Sequence, residues 1–204
     1  MPYSTFSLKD VKEQLGIQLV EDQQLFQPPP APVRASDFLQ LTLKKHVSLA
    51  LAVNTEKSRS EWIIAPVLAE LREVLPGTIS VFSGKNFNVE PERGLDGFCD
   101  YLVSRSPEQY YICAPVLVIV EAKNENIVDG LGQCLATMYA AALFNARAQQ
   151  DILAVYGAVT TGTVWKFLKL QEQRAWIDMD EYYLNNLEEL LGIFMNITQT
   201  ASPV

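Results

Sequence analysis

An α/β domain is the fold class this sequence predicts: a mixed central sheet of about five strands flanked by helices, with a helical extension at the N-terminus. Three observations carry that expectation. Helix-like and strand-like segments alternate along the second half of the chain, and the helical stretches place apolar residues three and four apart. Residues 116–120, VLVIV, form an unbroken apolar run. A strand covered on both faces needs such a run, whereas a strand with one wet face alternates.

The elements follow in order. Ser7 is an N-cap for the short amphipathic helix LKDVKEQL, and Gly16 closes it in the C′ position. Residues 27–32, QPPPAP, are held extended and stiff by their proline rings, as a spacer or as a strap lying on the domain. Residues 1–35 are therefore read as a helix and proline-rich strap, and residues 36–204 as a single domain. Ser36 and Asp37 cap a helix reaching about Val53, and another covers residues 58–75 until Pro76-Gly77 ends it. On that second helix Glu61, Ile64, Leu68, Leu71 and Leu75 share a stripe, which turns Glu61 inward.

From Thr78 the pattern changes to ISVFSGKNFNV, GFCDYLVSR and APVLVIVEAK, three strands. An alanine-rich helix over residues 126–149 comes next. ILAVYGAVTTG and TVWKFLKLQ then read as two strands about a Thr-Gly turn. Asp180 opens a final helix ending near Ile197, with Tyr182, Tyr183, Leu184 and Leu187 on its packing face.

The chain is 49% apolar and 20% charged over 204 residues, enough for one good core. No apolar run approaches the roughly 18 residues that cross a bilayer, and the start of the chain lacks a secretory pattern, so a cytoplasmic protein without a membrane partner is expected. Cys99, Cys113 and Cys134 match neither a disulfide framework nor zinc spacing and are read as small buried hydrophobes. A net charge of −8 argues against a broad electropositive surface. The single histidine, His46, lies on a predicted helix far from any nucleophile turn and is assigned a structural role. Gly84-Lys85 lacks the rest of a phosphate-binding loop and reads as a turn.

The chemistry concentrates at the end of the apolar strand. Glu121 and Lys123, two apart, project from one face, and charges at the end of a buried strand need partners or a ligand. Asp100 interrupts the apolar stretch of the preceding strand, and a hairpin-like connection brings it beside Glu121. Two neighbouring carboxylates repel unless a cation lies between them, and hard divalent ions favour oxygen ligands. This predicts a Mg²⁺ or Mn²⁺ site, with Ala122 joining Asp100 and Glu121 in the ligand set and Lys123 positioning water or stabilising charge on phosphorus. Asp96 competes with Asp100, but its context, ERGLDG, is that of a turn.

With Glu61 in RSEWIIAPVLAEL, Asp100 in GFCDYLV, Glu121 and Lys123 in VIVEAK, and Gln133 in GLGQCLATMYAA, the chain resembles the PD-(D/E)XK nuclease superfamily. The match covers about residues 58–160. The resemblance implies a restriction-endonuclease-like core and a metal-dependent nuclease, a hydrolase of phosphodiester bonds acting on nucleic acid, with DNA first in line. Glu61 and Gln133 enter the catalytic set on this basis. Glu56 competes with Glu61 for the outer position, and Glu61 is preferred for its inward stripe. Many members of the superfamily are dimers, so a homodimer is among the assemblies it allows. The alternatives are a nuclease-fold interaction module that does not cleave, and a nuclease for RNA or structured substrates within a complex.

Overall fold

The computed structural model describes residues 2–200. Its centre is an eight-stranded mixed sheet in the order β1-β7-β6-β5-β4-β3-β2, with β8 added beside β6. The strands are β1 (Gln18–Val20), β2 (Ser80–Asn86), β3 (Phe98–Ser104), β4 (Val116–Ala122), β5 (Val155–Thr160), β6 (Val164–Gln171), β7 (Arg174–Ile177) and β8 (Tyr182–Tyr183). The helices are α1 (Leu8–Leu15), α2 (Asp37–Val53), α3 (Glu56–Arg59), α4 (Ala65–Val74), α5 (Val128–Arg147) and α6 (Leu187–Thr200). β4 and β5 are parallel, as are β1 and β7; the other pairings are antiparallel.

The sheet is larger than the expected five strands because β1, β7 and β8 escape pattern reading. Each is short, and the β6–β7 hairpin turns through Glu172 and Gln173, with Glu172 at φ 55°, rather than through the Asn-Gly or Asp-Gly pair that usually marks such a turn. The C-terminal helix also starts later than Asp180. Tyr182 and Tyr183 are strand residues, and Asp180 donates its N–H to Asp178 Oδ1 at 3.2 Å instead of capping a helix.

Two apolar layers sandwich the sheet. Leu39 and Leu43 of α2, Leu68 and Leu71 of α4, and Leu190 and Phe194 of α6 pack with Val118 and Val120 on one face. Val11 and Leu15 of α1 and Leu135 and Met138 of α5 pack with Ile119 and Val159 on the other. Every residue of β4 is buried, as its unbroken apolar run requires. At its start Asn145 of α5, itself 1% exposed, accepts the Val116 N–H at 2.7 Å and donates to the Val116 carbonyl at 2.8 Å.

The N-terminal segment is built into these layers. Tyr3 donates its N–H to Asp96 O at 3.0 Å and its hydroxyl to Phe87 O at 2.7 Å, while β1 pairs with β7. The proline-rich stretch is a strap. Phe26 stands edge-on to Phe167 with ring centres 5.6 Å apart, Leu25 N–H bonds Asp178 Oδ1 at 3.2 Å, and Val33 N–H bonds Glu188 O at 2.9 Å. Among the described residues no helix is long and apolar enough to cross a membrane. Cys99 and Cys134 are buried and Cys113 is partly buried, all three free.

Candidate active site at the end of the central strands

The β3–β4 register pairs Tyr101 with Val120 and Leu102 with Ile119. One step further along that antiparallel ladder sets Asp100 opposite Glu121, on the face covered by α5. Asp100 Oδ2 accepts the Ala122 N–H at 2.8 Å, which ties the carboxylate to the neighbouring strand. The charge of Asp100 reaches the Glu121 carboxyl and raises it. Lys123 Nζ lies 2.7 Å from Glu121 Oε1 and 3.4 Å from Gln133 Oε1. The structure thus brings together Asp100, Glu121, Lys123 and Gln133.

Local packing explains how the lysine reaches that place. The Lys123 N–H bonds Thr160 O at 2.8 Å, holding the end of β4 against β5. Gly130, in the first turn of α5, lies against the Lys123 stem: a Cβ there would come within 3.0 Å of Lys123 Cε and 2.6 Å of Val159 Cγ1. A larger residue would push α5 away from the site.

The electrostatics follow from burial. Glu121 is only 2% exposed, and its carboxyl is pushed up to about 8 by desolvation and then by the charge of Asp100, with Lys123 pulling the other way. Burial pulls the Lys123 ammonium down, but Glu121, Glu56 and Asp100 outweigh it and raise its pKa. Nearby Cys99 and Cys134 are held protonated, chiefly by burial and secondarily by the charge of Glu121. Neither thiol is an activated nucleophile.

Glu61 departs from its expected place. It is exposed and pairs with Lys57 at 3.7 Å, outside the group formed by the other four residues. The reason is a π-turn at Ser60–Ile64, where the Ala65 N–H bonds Ser60 O five residues back. The extra residue breaks the spacing that aligned Glu61 with Ile64 and Leu68. Pro66 accounts for the turn, since it has no N–H to give Trp62 and its ring crowds that carbonyl. This proline inside the helical stretch was the available sequence signal.

Glu56 lies nearer the site than Glu61 does, coupled to Lys123 and Asp100. Burial raises its carboxyl, Lys123 lowers it and Asp100 raises it, so it stands within the field of both site residues. Arg59, which pattern reading passed over, braces the same corner. Its Nη1 donates to Thr161 O and its Nη2 to Asn54 Oδ1, each at 3.0 Å. Asp96 lies in the turn before β3, and its carbonyl binds the Tyr3 N–H.

A hard divalent cation suits this donor set. Each carboxylate has one oxygen held by the protein frame, Oδ2 of Asp100 by the Ala122 N–H and Oε1 of Glu121 by Lys123, and a second oxygen it could offer to a cation. Ala122 is 1% exposed, and with its N–H engaged its carbonyl is the oxygen it would offer. Among the described residues no group of three or more His, Cys, Asp and Glu is gathered for a metal. A cation at Asp100 and Glu121 would take its remaining ligands from water and phosphate, as Mg²⁺ commonly does.

No protein-family model matches the chain. No curated protein matches its sequence.

Proposed function

We propose that the protein is a metal-dependent phosphodiesterase acting on nucleic acid, a nuclease of the PD-(D/E)XK type with DNA as its first expected substrate. The observation that carries this reading is the facing pair Asp100 and Glu121 on neighbouring strands, with Lys123 held on the Glu121 carboxylate and beside Gln133. A buried acid raised by a second acid is held at a cost that a cation between them relieves. A bound Mg²⁺ or Mn²⁺ supplies an acidified water and offsets charge on a phosphate oxygen.

The chain's own residues supply the rest. Asp100 and Glu121 hold the cation, with the Ala122 peptide fixing the angle of Asp100. Lys123 donates a hydrogen bond to a phosphate oxygen, where its charge opposes the negative charge that develops on phosphorus. Gln133 orients the ammonium, and Glu56 keeps it charged from the outer side.

The test is nicking of supercoiled plasmid in Mg²⁺ or Mn²⁺. We expect Asp100→Ala, Glu121→Ala and Lys123→Ala each to lower the rate by about a hundredfold or more, the scale on which electrostatic groups contribute. Equal nicking by these variants and the parent chain would overturn the reading. The net charge of −8 favours a second reading, an interaction module of this fold that does not cleave. Calorimetry with Mn²⁺ separates the two: the nuclease reading expects binding that Asp100→Ala abolishes.

A further inference from the structure

A groove of about 720 Å³ lies between α2, the β5–β6 turn and the segment joining β8 to α6. Its walls include Leu43 and Val47, and its rim carries Gln40, Lys44, Tyr183 and Asn185. The β5–β6 turn ties the groove to the candidate site by hydrogen bonds. Lys123 N–H bonds Thr160 O at 2.8 Å, Arg59 bonds Thr161 O at 3.0 Å, and Thr161 Oγ1 meets the hydroxyl of Thr163, a groove residue, at 3.3 Å. Gly162, at φ 85° and packed on Ile63, holds this turn tight between the two places.

We propose that this groove receives an unpaired nucleotide of the substrate strand, so that the protein acts on single-stranded or locally opened nucleic acid; the proposal rests on the phosphodiesterase reading above. The volume suits a nucleotide, within the range of ligand pockets. Tyr183 is 49% exposed and offers a ring face for base stacking, its hydroxyl tied to Glu181 at 3.2 Å. Gln40 donates to Ala35 O at 3.1 Å and keeps its amide oxygen for a base edge, and the exposed Asn185 presents a second amide. Lys44 is exposed, with no carboxylate partner among the described residues, and complements a phosphate. An apolar floor, one aromatic face, two amides and one free cation match a single nucleotide. The net charge of −8 argues against the broad basic surface that duplex binding uses.

Binding is read by fluorescence anisotropy with a fluorescein-labelled single-stranded oligonucleotide and its blunt duplex, in EDTA so that cleavage does not intervene. We expect preference for the single strand. Tyr183→Ala and Lys44→Glu should each weaken it about fivefold or more, while Tyr183→Phe, which keeps the ring, should bind as the parent does. Melting curves confirm that each variant is folded. Equal binding by all variants, preference for the duplex, or no binding of either probe would overturn the proposal. Plasmid nicking keeps the two readings apart. Groove-dependent strand binding without Mn²⁺-dependent nicking would sink the phosphodiesterase and leave the groove standing, whereas nicking with groove-independent binding would sink the groove alone.

Discussion

Glu121 sits buried at the end of the central strand, and its carboxyl sets a pH dependence for the metal-free protein. In the unfolded chain it titrates near 4.5; in the fold, burial and Asp100 push it up to about 8. Between these values the folded state keeps a proton that the unfolded state has released, so stability falls as pH rises from about 4.5 to 8. Below the lower value both states are protonated and the contribution levels off. Thermal melts in EDTA across this window should show the decline, and Glu121→Gln should flatten it. At the same scale the outer acids are separable. Glu56→Gln should reduce nicking about tenfold by removing a charge acting on Lys123, whereas Glu61→Gln, which loses only a surface pair, should leave the rate within about twofold.

Helix α5 does most of the positioning at the scale of elements. Asn145 fastens it to the start of β4, Gly130 lets it approach Lys123 at the other end, and Gly132 lets the N-terminal segment approach its outer side. A Cβ on Gly132 would stand 2.3 Å from Phe6 O and 2.5 Å from Ser7 C, both backbone atoms with little room to move. Gly132→Ala should therefore destabilise the protein by about 1–3 kcal/mol in urea unfolding, the usual cost of overpacking. How much of this was legible in the sequence differs by element. Glu121 and Lys123 stood out because charges at the end of an apolar run contradict their surroundings. Asp100 required the strand register, which no local pattern encodes. Gln133 came from resemblance alone. Glu61 was misplaced because a regular helical period was carried across Pro66, and β7 was missed because Glu172 and Gln173 do not look like a hairpin turn.

For the whole molecule the question is whether residues 1–35 are separable from the rest. Phe26 contacts Phe167 and Tyr182 in one apolar layer, Tyr3, Val11 and Leu15 lie in the other, and β1 completes an edge of the sheet. Deleting residues 1–35 should leave β7 as a bare edge and expose both layers. We expect such a truncation to be aggregation-prone or to bind a hydrophobic dye, with loss of its cooperative melt. A sharp melt at the parent temperature would show that residues 36–204 stand alone. The sandwich itself follows from composition, since a strand as apolar as β4 has to be covered on both faces.

The parallel pairing of β1 with β7 joins residues near the start of the chain to residues far along it, with Gln18 beside Arg174 and Val20 beside Trp176. During synthesis β1 leaves the ribosome early, but its partner strand is made only after β2 to β6. The growing chain must therefore carry β1 and the strap with their apolar side chains uncovered while the strands bearing Asp100 and Glu121 are already made. Closing that edge is a late event of high sequence separation, slower than the local contacts around α5. The site end of the molecule is assembled before its opposite border is sealed, and in that interval the nascent protein is most open to chaperone capture.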